Sequence, residues 1–290
     1  MSAQAILAMV NTLLNRVPKT PQLPAANDPF NWSSALSVVS GPGVKAFPSG
    51  LNNGTTLALV SGQLMLYKPD GGMQWVITNH PANANITILP VGYVDPADGY
   101  FYGLGVNSQN STSFLYPYKV NIATGAITAM GSGIESGMMS AVGSFFLTRQ
   151  PGGDFTLFIG ACYVTYSSTT GALTSGSAMG VKSGNVMVSY CTLDGSIVLS
   201  LCYTGTVGTP LLFALARNGK TGIFNPSGPA PVAVMNGRLA PASAFAIIVG
   251  NYIVFTQGGG GSLFVAGSLP VMLRSDFDNF LAQACTSIGI

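Results

Sequence analysis

Charge is what this sequence has least of. Only 7% of its 290 residues are Asp, Glu, Lys or Arg, against about 25% in an average soluble domain. The 11 basic and 9 acidic residues leave a net charge of +2. The basic residues stand singly from Arg16 to Arg274. They form no phosphate-tracking stripe, which argues against direct sequence-reading of nucleic acid. Histidine is nearly missing too. His80 is the single copy, in Thr-Asn-His-Pro. A Ser or Cys nucleophile needs a base beside it, and no G-x-S-x-G surrounds any serine, so a hydrolytic triad is not expected. The four cysteines (Cys162, Cys191, Cys202, Cys285) contain no C-x-x-C pair. With one histidine this removes zinc spacing. The cysteines read as small buried hydrophobes, with a Cys191–Cys202 disulfide open as an option because the two flank one expected strand. No G-x-x-x-x-G-K-[ST] loop is present, and Gly258–Gly261 reads as a plain loop. The N-terminus lacks a positive leader region, so no signal peptide is expected. The apolar window 240–255 is interrupted by Pro241, Gly250 and Asn251. It is too short for a bilayer span and reads as two strands around a Gly-Asn turn.

What the chain does contain is glycine (37 residues), 48% hydrophobic side chains and 10% aromatics, the composition of a packed and not a disordered protein. A surface this poor in charge is poorly soluble as an isolated monomer, which points to burial against other subunits.

Residues 2–16 carry Ile6, Leu7, Met9, Val10, Leu13 and Leu14 at helical spacing, and Pro18 ends the run. Prolines 18, 21, 24 and 29 then read as an extended arm. The leader either packs on its own domain or reaches a neighbour. From residue 50 the apolar period becomes that of strands. A tight turn with Gly beside Asn or Asp precedes an apolar strand five times: Asn53-Gly54, Asp98-Gly99, Gly153-Asp154, Asp194-Gly195 and Gly250-Asn251. A second series follows, clearest in Asn121-Ile-Ala-Thr-Gly125 and in Ser167-Ser-Thr-Thr-Gly171. Weaker copies are Asp70-Gly71 and Asn218-Gly219, and the fifth, in 263–269, is degenerate. Gly supplies the positive φ that hairpin turns need, and Asn or Asp tolerates it next best. Other strands are expected at 85–89, 140–147, 185–191 and 245–249.

One such unit cannot bury both its faces, whereas several stacked around an axis can. The Asx-x-x-Thr-Gly-x-Ile/Leu hairpin resembles the outer blade hairpins of β-propeller families. The expected fold is all-β, a β-propeller of five blades with short N-terminal and C-terminal helices. The expected division is a helix and proline-rich arm over 1–49, a propeller over 50–273, and a C-terminal helix and tail over 274–290. In that last helix Ser275 is the expected cap, Asp276 and Asp278 fall in the first turn, and Phe277, Phe280, Leu281 and Ala284 form an apolar stripe.

Propellers host enzymes, lectins and scaffolds, so the site has to decide the function. Glycoside hydrolysis needs two carboxylates flanking one bond. Asp98, Asp154, Asp194 and Asp70 sit in the repeated turns, where an Asx role suffices. Only Glu135 and Asp28 remain uncommitted. Sugar binding would use Trp32, Trp75, Tyr93, Tyr102, Tyr116 or Tyr166, but strand aromatics ordinarily pack between blades. No catalytic, cofactor-binding or metal residue is nominated, and no enzymatic activity is expected. Ser-Gly-Pro-Gly-Val-Lys-Ala-Phe (40–47) resembles the stretch ahead of the propeller in tail hub or nozzle proteins of short-tailed bacteriophages. The resemblance implies a structural virion protein, assembled in the host cytoplasm into a homo-oligomeric ring, hexameric in that family. Portal or adaptor proteins would be its neighbours, and DNA would pass through with only passive contact. A carbohydrate-binding propeller, for receptor binding or capsid decoration, is the alternative.

Overall fold

The computed structural model describes residues 21, 29–30, 45–51, 53–60, 62–109, 112–131, 134–136, 145–150, 152–159, 162–170, 172–178, 185–203, 211–224, 244–257 and 271–290. The expected helix over 2–16 lies outside them. The described chain is β-rich with a single helix, and its strands fall into five successive antiparallel units. The first unit is β1 (Lys45–Pro48), β2 (Thr56–Val60), β3 (Gln63–Tyr67) and β4 (Met73–Ile77). The second is β5 (Thr87–Asp95), β6 (Tyr100–Gln109), β7 (Thr112–Asn121) and β8 (Ile127–Ala129), with β9 (Ile134–Ser136) also on β7. The third is β10 (Phe145–Arg149), β11 (Phe155–Ile159), β12 (Cys162–Tyr166) and β13 (Leu173–Ala178). The fourth is β14 (Asn185–Cys191), β15 (Ile197–Tyr203), β16 (Leu211–Arg217) and β17 (Lys220–Phe224). The fifth is β18 (Ala244–Val249), β19 (Tyr252–Gln257) and β20 (Val271–Leu273), running directly into α1 (Arg274–Ser287). The first sheet thus starts at Lys45, five residues ahead of the expected residue 50.

All five Asx/Gly turns connect the first strand of a unit to its second, and each has its glycine at positive φ: 74° at Gly54, 75° at Gly99, 94° at Gly153, 72° at Gly195 and 58° at Gly250. In units one to four the second series joins the third strand to the fourth, and its fifth copy, in 263–269, lies outside the described residues. In an antiparallel meander the first and third connections lie at the same end of the sheet. Hydrogen bonds tie them there: Ile122 donates its backbone N–H to Gly99 O at 3.0 Å, and Ser168 N–H donates to Asp154 Oδ1 at 3.3 Å. This end is called the turn end below.

The units do not close into a ring of equal blades. Units one, three and four are separate four-stranded sheets, but β18 pairs in parallel with β5 (Ile248 with Tyr93, Val249 with Val94), which merges units two and five into one eight-stranded sheet. The fifth unit has three described strands, because the chain leaves β20 after three residues to form α1. First strands also meet across the centre: β10 packs on β5, β14 and β18, and β18 packs on β14 and β1.

The merged sheet is covered on both sides, which explains its nearly unbroken apolar strands, such as Ala-Phe-Ala-Ile-Ile-Val in β18. Alternate side chains face different cores. Val94, Phe101, Tyr118, Ile247 and Val249 pack with the first unit. Tyr93, Tyr102, Leu104, Ile248 and Ile253 pack with units three and four and with α1.

Helix α1 buries Phe277, Phe280, Leu281, Ala284 and Cys285 against the fourth unit. Phe280 meets the edges of Phe213 and Phe224 at centroid distances of 5.6 and 5.8 Å. The helix starts at Arg274 and not after Ser275; Leu273 is the N-cap, with no side-chain cap. The reason is Arg274 itself, whose N–H donates to Asn251 O at 2.8 Å while its side chain is pulled into the core. The helix ends in a Schellman motif at Gly289 (φ 79°), with Ile290 N–H donating to Cys285 O and Gly289 N–H to Thr286 O.

The Cys191–Cys202 disulfide is excluded by register. Cys191 pairs with Val198 and Cys202 with Val186, at opposite ends of the β14–β15 ladder. Their Cα atoms are separated by several residues of about 3.3 Å rise, and a disulfide spans less than about 7 Å.

Candidate functional site: the turn end

Two arginines and three aspartates at the turn end join one unit to the next. Arg149, at the end of β10, places its guanidinium 2.7 Å from Asp95 Oδ2 and 3.5 Å from Asp98 Oδ2, both on unit two. It also donates from Nε to Gly153 O at 3.2 Å and lies over the rings of Tyr102 and Phe155. Tyr102 donates its hydroxyl to Asp98 Oδ2 at 2.6 Å. Burial, then that bond to a carboxylate, pushes its pKa well above the ordinary phenol value.

A second clamp joins units three, four and five. Arg274 is 5% exposed and donates to Thr148 Oγ1 at 2.7 Å, Tyr190 Oη at 3.2 Å and Cys191 O at 3.2 Å. Tyr190 donates its own hydroxyl to Asp278 Oδ1, and Asp278 Oδ2 accepts Leu193 N–H at 2.9 Å. Burial raises the Asp278 pKa, opposed by the Leu193 N–H, the Tyr190 hydroxyl and the Arg274 charge. Cys191 is buried here as a free thiol with its pKa pushed up to about 12, mainly by burial. Neither clamp is visible in the sequence, since Arg149 and Arg274 are lone basic residues far in sequence from their partners. Asp95 went unmarked because it closes a strand instead of sitting in the repeated Asx position.

The remaining nominated residues divide clearly. Asx turns form as expected: Asp98 accepts Tyr100 N–H at 3.0 Å, Asp194 accepts Ser196 N–H at 3.0 Å, and Asp70 accepts Gly72 N–H at 2.8 Å. Glu135 lies on β9 opposite Phe114, and Asp28 lies outside the described residues, as does Trp32. Trp75 donates its indole N–H to Ile122 O at 2.9 Å, and its ring covers Gly125, where a Cβ would come within 2.8 Å. It is a strut between units one and two. Tyr166 is 1% exposed, and Tyr116 faces His80. His80 is buried between the rings of Tyr116 and Tyr118, accepts Ala82 N–H on Nδ1 at 3.1 Å, and has no Ser or Cys among its partners. Burial lowers its pKa, partly offset by the carbonyls of Tyr116 and Pro117, although Nε2 forms no well-aligned hydrogen bond.

Two clefts open at the turn end. One, of about 330 Å³, lies between the fourth unit and α1, with Asp194, Arg217, Asp278 and Asn279 on its walls. The other, of about 340 Å³, lies among the turns of units one, two and five, with Phe30, Tyr93, Asp95, Pro96, Asn251 and Tyr252 on its walls. Phe30 meets the edge of Tyr252 at 5.4 Å, so this part of the leader packs on its own fifth unit. Of the six aromatics nominated for sugar binding, Tyr93 borders this cleft.

No protein-family model matches the chain, and no curated protein matches it. Among solved structures it is similar to Hsv2 of Kluyvelomyces marxianus, with a TM-score of 0.35 and 10% identity over 74% of this chain and 64% of that one. A KlHsv2 variant with loop 6CD replaced by a Gly-Ser linker matches with a TM-score of 0.32 and 10% identity, over 76% of this chain and 64% of that one. A candidate 6-phosphogluconolactonase from Bacteroides uniformis matches with a TM-score of 0.37 and 13% identity, over 79% of this chain and 70% of that one. The chain therefore spans less than two thirds of the length of the Hsv2 chains.

Proposed function

We propose that the chain is a structural virion protein, a five-bladed propeller wedge that assembles with copies of itself into the tail hub or nozzle ring of a short-tailed bacteriophage. It is not an enzyme in this reading. One observation carries the proposal: outer edge strands present exposed apolar side chains, in a chain with few charges, several of which join its own units. Arg149, Asp95, Asp98, Arg274 and Asp278 are all committed to joins between units. The outermost strands β4 and β17 share one burial pattern. Met73 and Val76 on β4 are 54% and 42% exposed, and Ile223 on β17 is 62% exposed. Val76 and Ile223 occupy the same position of their strands. Exposed apolar edge strands are the usual sites of pairing with another chain.

In this reading the DNA path is the ring lumen between subunits, since the first strands of each chain pack on one another. Low charge would let DNA slide there, because phosphate affinity rises with the number of neutralising contacts. Portal or adaptor proteins would bind the faces of the ring. Native mass spectrometry of the purified chain tests the reading. A ring at a multiple of 29.8 kDa, sixfold in the resembled family, is expected. A stable, soluble monomer overturns it, as does absence of the chain from purified virions.

A further inference from the structure

We propose that the cleft among the turns of units one, two and five is a binding site for a neutral saccharide, the size of a terminal mono- or disaccharide unit. The proposal is independent of the ring assembly. Its volume of about 340 Å³ lies at the small end of ligand pockets, which run from roughly 300 to 1,000 Å³.

Three observations select the ligand. The first is an unused polar group. Tyr93 is only 9% exposed, and its ring is fixed between Tyr102 and Phe155 at centroid distances of 6.5 and 5.9 Å. Its hydroxyl makes no hydrogen bond to any described residue, while the residue lines the cleft. Buried polar groups are ordinarily satisfied, so a hydroxyl left open at a pocket wall asks for a partner from outside. The second is the aromatic wall. Phe30 and Tyr252 are both half-buried, pack edge to face and line the cleft. Sugar C–H faces pack on such surface, and sugar hydroxyls need the polar groups beside it.

The third is charge. Asp95 is the one charged residue among the described residues of the wall, and its carboxylate is pre-oriented by Arg149 on Oδ2 and by Ala97 N–H, at 3.0 Å, on Oδ1. Each oxygen keeps a further lone pair for a ligand hydroxyl. Among the described residues no basic side chain lines the cleft, which disfavours phosphate or acidic sugars. The neighbouring Arg149 offsets the carboxylate, which removes a strong preference for cations. Asn251 is exposed at the rim and supplies both donors and acceptors.

Saturation-transfer NMR on the full chain tests the site. The probes are the methyl α- and β-glycosides of glucose, galactose, mannose and N-acetylglucosamine at millimolar concentration. At least one should receive saturation. Tyr93→Phe should weaken that glycoside about tenfold, the effect of one lost hydrogen bond of about 1.4 kcal/mol, with an unchanged melting temperature because the hydroxyl has no partner among the described residues. Asn251→Ala should weaken it in the same direction. Absence of saturation for all the glycosides overturns the proposal, and so does binding that both variants leave intact. Neither result bears on oligomeric mass, so failure here and failure of the ring assembly are separable.

Discussion

At the scale of single residues, the lone histidine and the two clamping arginines make the sharpest predictions. His80 is held neutral by burial, with its folded pKa below the unfolded 6.5. The unfolded chain therefore binds the proton more readily. The stabilisation is complete above about pH 6.5 and is lost as pH falls from there toward the lowered folded pKa. Melting temperature should fall between about pH 7 and pH 5, and His80→Phe should flatten that part of the profile. Arg274→Ala leaves Thr148 and Tyr190 without a donor and removes from Asp278 the positive charge that offsets its burial. A loss of about 3 kcal/mol in chemical denaturation is expected. Cys191 and Cys285 are buried with raised pKa values. Peptide mapping after native-state alkylation near pH 8 should find both unmodified, since the thiolate is the reactive form. The Asx turns at Asp70, Asp98 and Asp194 were legible in the sequence because the side chain bonds its own neighbours. The clamps were not, because their partners are brought together only by folding: Thr148 and Arg274 are 126 positions apart.

Secondary-structure elements carry two further consequences. The position shared by Val76 and Ile223 is solvent-facing within the chain, so Val76→Glu and Ile223→Glu should leave the melting temperature nearly unchanged while reducing the mass of the assembly. An assembly that survives both substitutions would mean that β4 and β17 are not the joining edges. Helix α1 is an integral wall of the fourth unit. Phe280 sits among Phe213, Phe224 and Phe277, and Phe280→Ala should cost about 3–5 kcal/mol. The stripe Phe277, Phe280, Leu281 and Ala284 was readable from helical period. The true start at Arg274 was not, because a buried arginine at a helix start has no local signal.

Over the whole molecule, the merged sheet of units two and five sets the design. It separates two cores and brings three turns together around the cleft lined by Tyr93 and Tyr252. The turn end holds both arginine clamps, both clefts and all five Asx/Gly turns, so the polar chemistry described is concentrated on one side. If the ring forms as proposed, the clamps make each subunit a rigid wedge. Arg149→Met should then lower the melting temperature of the subunit before it changes the stoichiometry of the ring.

The recurrence of strand–turn–strand units, and the positions of the five Asx/Gly turns, were written in the sequence. Turn geometry is local: a positive φ at Gly54 or Gly99 depends on that glycine and its neighbours. The apolar period likewise needs no distant partner to be read. How the units join was decided by tertiary structure alone. The parallel contact of Ile248 and Val249 with Tyr93 and Val94 spans more than half the chain and has no local pattern. The same contact kept the five units from forming five equal, separate sheets. It also carries the turn of unit five against that of unit two, and so makes a cleft from residues that no spacing in the sequence connects.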